Sequence, residues 1–156
     1  MTVGGFQVDA TSAGIIEALQ RDGRRSYASI GKDVGLSEAA VRQRVQRMIE
    51  SGIFEIVAVT DPLVLGFTRS AMVGVTVEGP LEPVADALNH IDEVSYLVLT
   101  AGVWDLLAEV VCEDDTHLLR VVSEHIRGVP GVTGTETLVY LQLRKQTYDE
   151  GVRLHV

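Results

Sequence analysis

Residues 25–52 read RSYASIGKDVGLSEAAVRQRVQRMIESG, and this stretch decides the architecture. Ser26 opens a short helix, Gly35 breaks it and Ser37 opens a second one. A serine at a helix start accepts a hydrogen bond from a backbone N–H that has no partner inside the helix. Glu38 falls in the first turn of the second helix, where a negative charge suits the helix dipole. Two helices joined by a tight glycine turn form a helix-turn-helix, a unit that can set its second helix in a DNA major groove.

Periodicity supports that reading. Val41, Val45, Met48 and Ile49 fall at i, i+4, i+7 and i+8, one buried face. At ~100° per residue, Ala39, Gln43, Gln46 and Arg47 point the other way, with Arg42 on the flank. The outward face is therefore expected to carry amides and guanidiniums and no carboxylate. Arginine and glutamine make bidentate contacts to guanine and adenine edges, and arginine neutralises phosphate. Arg44 lies nearer the buried side, which suits a structural partner or a phosphate rather than a base edge. Periodicity alone leaves open an ordinary solvated helix face.

Outward from this stretch the charge divides. Residues 1–52 hold seven basic and six acidic side chains, and residues 53–156 hold six basic and sixteen acidic ones. A net charge of −9 excludes a chain that coats itself with nucleic acid. A near-neutral head on an acidic body suits DNA contact by the head only, with a strong salt dependence. Cys112 is the one cysteine, so no intrachain disulfide framework exists, which fits a reducing compartment. The start has no basic-then-apolar leader pattern. Asp105 and Glu109 interrupt the longest candidate membrane run. A soluble cytoplasmic protein is the expectation.

Taken in order, residues 1–8 read as a loose arm. Ile15, Ile16 and Leu19 mark a first helix over 12–22, with Gly23 as its C-cap. Leu19, Ile30, Val34, Leu36, Val41, Val45 and Ile49 are expected to form a three-helix core, with Gly31 allowing close approach. Residues 53–59 read as a strand, Asp61-Pro62 as a turn and Gly66 as a second break. Beyond Gly66 the periodicity changes. Strands are expected over 71–77, 94–100, 104–112 and 132–143, and helices around 84–90 and 116–127, with Glu113-Asp114-Asp115 capping the second. This is β-α-β-β-α-β, the ferredoxin-like order. Val, Leu and Ala occur on both faces of these strands, so the face away from the helices needs a cover, which dimerisation supplies. The expected division is a head over 1–52, a linker strand and turn over 53–66, and a body over 67–156.

Head and body together resemble the Lrp/AsnC family of transcription regulators. The resemblance is carried by Asp22-Gly23-Arg24, Ser26-Tyr27, Val34-Gly35-Leu36-Ser37, Val41-Arg42, Arg44-Val45, Arg47 and Ser51-Gly52-Ile53. In the body it is carried by Thr100, Gly102, Asp105 and Thr135-Glu136-Thr137. It implies an α+β chain with a winged-helix-like helix-turn-helix head and a ferredoxin-like regulation-of-amino-acid-metabolism (RAM) body. It implies homodimers formed through the body sheets, often assembled into octamers, and double-stranded DNA as partner. A small effector, usually an amino acid, is implied near the loop Thr100, Ala101, Gly102, Val103, Trp104 and Asp105, with Thr135, Glu136 and Thr137 close by. Ala101 and Gly102 would offer backbone N–H groups to a carboxylate and Asp105 could pair with an ammonium. The residues alone equally allow a plain β-hairpin with Asp105 capping its turn. The chain departs from the family where Ser12 and Ala13, followed by Gly14, replace an Asp-Arg pair, which predicts a looser helix start or a lost salt bridge. Trp104 is larger than the usual residue there and would fill part of an effector pocket.

The DNA-contacting residues expected on this reading are Arg42, Gln43 and Arg47 in the groove and Ser37 and Ala39 near the helix start. Arg24, Arg25, Ser26 and Tyr27 are expected on phosphate, where Arg44 can also reach. No enzyme chemistry is expected. His90, His117, His125 and His155 are scattered, Cys112 has no partner cysteine, and Gly128, Gly131 and Gly134 do not form a phosphate loop. No metal or cofactor is implied. The alternative is a small-molecule-binding oligomeric module, or an architectural DNA-binding protein whose head reads no specific sequence.

Overall fold

A computed structural model of the chain describes residues 2–3, 6–147 and 152. It divides into a head, residues 1–58 with 145–156, and a body, residues 59–144. The expected body, 67–156, differs from this at its end, since Val152 packs against the core of the head.

In the head, β1 (Thr2–Val3) pairs antiparallel with β2 (Phe6–Gln7). Part of the expected loose arm is thus a short hairpin. Helix α1 (Ala10–Arg21) starts earlier than the periodicity suggested, because Asp9 caps it: its Oδ1 accepts from the Ser12 N–H at 2.7 Å. Gly23 is not its C-cap. Asp22 takes that place in an extended conformation, its N–H donating to the Ala18 carbonyl. Helix α2 (Tyr27–Val34) is capped by Ser26 and closed by Gly35, at φ +72°. Helix α3 (Glu38–Glu50) is capped by Ser37, whose Oγ accepts from the Ala40 N–H at 3.2 Å. Ile15, Ile30, Val41, Val45 and Met48 are buried between the helices, with Val34, Leu36 and Ile49 at the margin. A Cβ at Gly31 would lie 2.4 Å from the Leu36 carbonyl oxygen, so glycine there lets the α2–α3 turn close.

The expected strand over 53–59 is not formed. Its Ile and Val content favours extended backbone, but a strand needs a neighbour for its N–H and C=O groups, and none is paired with it among the described residues. The head's described strands therefore precede α1, and among the described residues no wing strand follows α3 in the head. The Asp61-Pro62 turn does form, with Asp61 Oδ1 accepting from the Leu63 N–H at 3.0 Å.

The body runs β3 (Arg69–Val77), α4 (Leu81–Asn89), β4 (Val94–Leu99), β5 (Leu106–Cys112), α5 (Asp115–Arg120), a π-helical segment (Val121–Ile126) and β6 (Val132–Val139). The sheet order is β4-β5-β3-β6, antiparallel throughout, as the ferredoxin-like expectation requires. The last strand stops at Val139, short of residue 143. The second helix is α-helical only to Arg120 and then widens. Asp114 caps α5 through the His117 N–H at 2.7 Å. Ala71, Val73, Val75, Leu106, Ala108 and Val110 are buried on the helix side of the sheet, against Val84, Leu88, Leu118, Val121 and Ile126. Alternation sends Met72, Gly74, Leu107 and Glu109 to the other face, where Tyr96 is 52% and Leu138 44% exposed.

Candidate nucleic-acid interface and effector site

On α3 the outward residues are those the periodicity assigned: Ala39, Arg42, Gln43, Gln46 and Arg47 are exposed. The expectation of no carboxylate on this face is corrected. Glu38 accepts from Arg42 at 2.7 Å, and Glu50 accepts from Gln46 at 2.9 Å, each one turn along the helix. The Arg42 guanidinium also stacks over Tyr27, 5.1 Å from the ring centroid. Arg42, Glu38 and Tyr27 thus form one cluster, which holds the arginine along the α2–α3 surface.

The basic residues around α3 fall into two groups. Arg25 bonds Ser29 and Asp33, within its own helix neighbourhood. Arg44 bonds both carboxylate oxygens of Asp9, at 2.8 and 2.7 Å, and the Ser12 hydroxyl at 2.9 Å. Arg44 thus ties α3 to the start of α1, whereas Arg25 is held along α2. Arg47 and Gln43 have no side-chain partner among the described residues, and Arg24 is exposed. Ser26 and Ser37 use their hydroxyls as helix caps.

Asp9 is the functional neighbour that sequence reasoning missed. The expected loss of a salt bridge near Ser12 and Ala13 is corrected, since Asp9 supplies one from before the helix and Ser12 joins it. The Ser12 backbone N–H first, then Ser12 and Arg44 side chains, push the Asp9 carboxyl down to about 2. An aspartate three residues before a serine, ahead of an apolar periodic run, was the available signal.

In the body, the loop at 100–105 closes on itself. Thr100 N–H donates to the Asp105 carbonyl at 2.9 Å, and its hydroxyl donates to the Trp104 carbonyl at 2.5 Å. Asp105 reaches across to β3: its N–H donates to the Val75 carbonyl and its Oδ2 accepts from the Val77 N–H at 2.8 Å. One carboxylate oxygen is therefore engaged within the fold, but on β3 rather than as the cap of its own turn that the plain-hairpin alternative expected. Ala101, Gly102 and Val103 project from the turn, and Val103 is 84% exposed. The Ala101 and Gly102 N–H groups have no backbone partner among the described residues.

Trp104 lies against Gly74. A Cβ there would stand 2.5 Å from the indole, so only glycine admits the ring at this position. Glu136 pairs with Gly74 and shares that face, whereas Thr135 and Thr137 pair with Val75 and Val73 and face the helix side. The fold thus brings Trp104, Gly74 and Glu136 together and separates the two threonines from them. On the same open face, burial and a hydrogen bond to Glu109 push the Tyr140 phenol up to about 12.

The histidines are less scattered than their spacing suggested. His117 Nε2 lies 2.9 Å from Glu93 Oε1, and His125 Nδ1 lies 3.9 Å from Glu93 Oε2. The hydrogen bond from His117 holds the Glu93 carboxyl below the usual range. No group of three or more ligating side chains among the described residues is arranged to hold a metal. His155 lies outside the described residues. None of the described helices is long and apolar enough to cross a membrane.

Two family models match the chain: the AsnC-type helix-turn-helix domain over residues 8–49 and the Lrp/AsnC ligand binding domain over residues 70–150. A proline dehydrogenase transcriptional activator of Rhizobium radiobacter is 36% identical over 138 residues, covering 85% of this chain and 88% of its own. The structure of AsnC from Escherichia coli superposes with a TM-score of 0.80 at 26% identity, covering 92% of this chain and 98% of that one. A Neisseria meningitidis regulator in complex with L-Met shares the fold, with a TM-score of 0.80 at 21% identity, over 92% and 96% of the two chains. A helix-turn-helix head with an exposed amide and guanidinium face, a four-stranded α+β body and these matches agree, and the chain belongs to the Lrp/AsnC family of DNA-binding transcriptional regulators, which are not enzymes.

Proposed function

We propose that this regulator reads a specific DNA sequence with the outward face of α3 and that an amino acid bound at the body alters that reading. The observation that carries the first half is the pair Gln43 and Arg47. They stand exposed on a helix fixed by the Ser37 cap and the Asp9–Arg44 ion pair, with no internal partner among the described residues. Gln43 is the base-reading candidate and Arg47 contacts a base or phosphate, with Ala39 and Arg42 beside them. Ser37, Arg24, Arg25, Ser26, Tyr27 and Arg44 border this surface and supply or orient contacts to the backbone.

For the effector we place a small amino acid at Thr100, Ala101, Gly102, Val103, Trp104 and Asp105, with Glu136 beside the indole and Thr135 and Thr137 behind it. The free N–H groups of Ala101 and Gly102 suit a carboxylate, and the remaining Asp105 oxygen suits an ammonium. That the Neisseria regulator holds L-Met supports this class of ligand. The regulator works in the cytoplasm as a homodimer, able to build octamers, with the exposed apolar side chains of the open sheet face as the contact. An effector changes DNA affinity only if it binds one assembly or conformation better than another.

The test is selection of a genomic library of short duplexes by the full chain at physiological salt, repeated with each common amino acid. Enrichment of a pseudo-palindrome, shifted by one amino acid, is the expected result. Binding that ignores sequence would favour the architectural alternative. No response to any amino acid would remove the effector half alone.

A further inference from the structure

The hairpin ahead of α1 has no part in the reading above. Thr2 lies opposite Gln7 and Val3 opposite Phe6. Phe6 and Val8 are half-buried against the core of the head, so the segment is anchored, while Gln7 between them is exposed. Facing it are Ala40, Gln43, Arg44 and Arg47, at i, i+3, i+4 and i+7 of α3, which form one stripe along the helix. With Leu36, Phe6 and Gln7 they line an open cleft of about 270 Å³.

The lining has a definite chemistry. Phe6, Leu36 and Ala40 are apolar, Gln7, Gln43, Arg44 and Arg47 carry donors, and no carboxylate contributes. Arg44 is bound by Asp9 and Ser12 through one nitrogen. Arg47 has no ion-pair partner among the described residues. The cleft therefore suits an occupant with an anionic group and an apolar flank. It shares Gln43 and Arg47 with the outward face of α3, so a duplex lying along that face reaches the cleft.

We propose that the β1–β2 hairpin is a second DNA-contacting element, and that the cleft between it and α3 seats a sugar–phosphate unit of the duplex. Arg47 and Gln7 donate to the phosphate, and the deoxyribose rests on Phe6 and Leu36. The proposal rests on the DNA-binding reading of the head and adds Gln7 to it as a backbone contact. A backbone contact carries no base preference, so it strengthens binding to every sequence alike.

Gln7 is exposed, so its substitution leaves the fold intact. Affinity of the full chain for a duplex recovered from the genomic selection, and for a scrambled duplex of the same length, is measured by fluorescence anisotropy across a salt series. Gln7→Lys is expected to tighten binding to both duplexes and to steepen the log–log salt slope by about 0.9, the value for one more phosphate contact. Gln7→Glu is expected to weaken both. Phe6→Ala loosens the anchor and is expected to remove most of the Gln7→Lys gain. If wild type binds but both Gln7 variants stay within about twofold with unchanged slope, the hairpin proposal is overturned and the DNA reading stands. If inorganic phosphate shifts the Gln7 amide resonance while the Gln7 variants leave DNA affinity unchanged, the cleft belongs to a free anion, which also overturns it. If wild type binds no duplex, the DNA reading and the hairpin proposal fall together.

Discussion

The head and the body leave different things unfinished at their surfaces. In the head, polar side chains are tied to one another: Asp9 to Ser12 and Arg44, Arg25 to Asp33, Arg42 to Glu38 and Tyr27. On α3 itself, the donors left without a side-chain partner among the described residues are Gln43 and Arg47. In the body, the interior face of the sheet is complete, and the other face presents apolar side chains beside acidic ones, with Tyr96 and Leu138 exposed and Glu109 clasped by Tyr140. Donors without acceptors call for an anionic partner, and apolar area without cover calls for another apolar surface. On the function proposed above, recognition of nucleic acid and assembly are thus assigned to surfaces of different chemistry.

The largest test of that separation is Met48→Ala. Met48 is fully buried in the head, and its truncation is expected to cost about 2–5 kcal/mol of head stability. Amide hydrogen exchange should show lost protection in α1 to α3 and unchanged protection in β3 and β5. Equal losses in both would mean that head and body fold as one unit, and the comparison would fail.

Next is Gly74→Val in the body. The added side chain collides with the Trp104 ring, so the indole must leave the sheet face. Overpacking of this kind costs about 1–3 kcal/mol. Trp104 is the only tryptophan, so its emission is expected to shift to the red as the ring becomes exposed. Unshifted emission would show that the ring has another seat.

How far these differences could be read beforehand depended on range. Serines 26 and 37 and glycine 35 announced α2 and α3 because caps and left-handed turns act within a few residues. The body order was legible because buried strands carry apolar runs of the right length. Other features depend on distant partners. Residues 53–59 have strand composition, but composition does not supply a neighbouring strand. The Asp9–Arg44 bridge joins positions 35 apart, and no local pattern connects them. The split of Thr135 and Thr137 from Glu136 follows from pairing with β3, which a contiguous motif conceals. The π-helical widening at Val121 also left no mark in the apolar spacing of Leu118, Val122 and Ile126.

Asp9→Ala sharpens the comparison at a smaller scale. It removes a helix cap and an ion pair with a half-exposed carboxylate, and loss of the cap alone costs about 1 kcal/mol. The Asp9 carboxyl is lower in the folded head than its ordinary 3.8, at about 2. Its contribution is therefore complete above pH 3.8 and is lost as the pH falls through about 2. Melting of the head in wild type and variant should differ at neutral pH and converge in that window. A difference that persists at the acid end would assign the effect to packing rather than to charge.

The smallest effect on stability is expected from Arg47→Ala. The side chain is exposed and has no ion-pair partner among the described residues, so head stability should stay within about 0.5 kcal/mol. Affinity for DNA should fall nonetheless. A phosphate contact would weaken all duplexes alike and reduce the salt slope by about one, whereas a base contact would cost about 1–3 kcal/mol on the selected sequence only. Oligomer size, measured by sedimentation, should not change, because the apolar face credited with assembly belongs to the body. A variant that alters assembly while keeping full DNA affinity would reverse the roles assigned to the two regions. A variant that loses affinity with stability and assembly intact would show that recognition rests on donors the head does not need for its own fold.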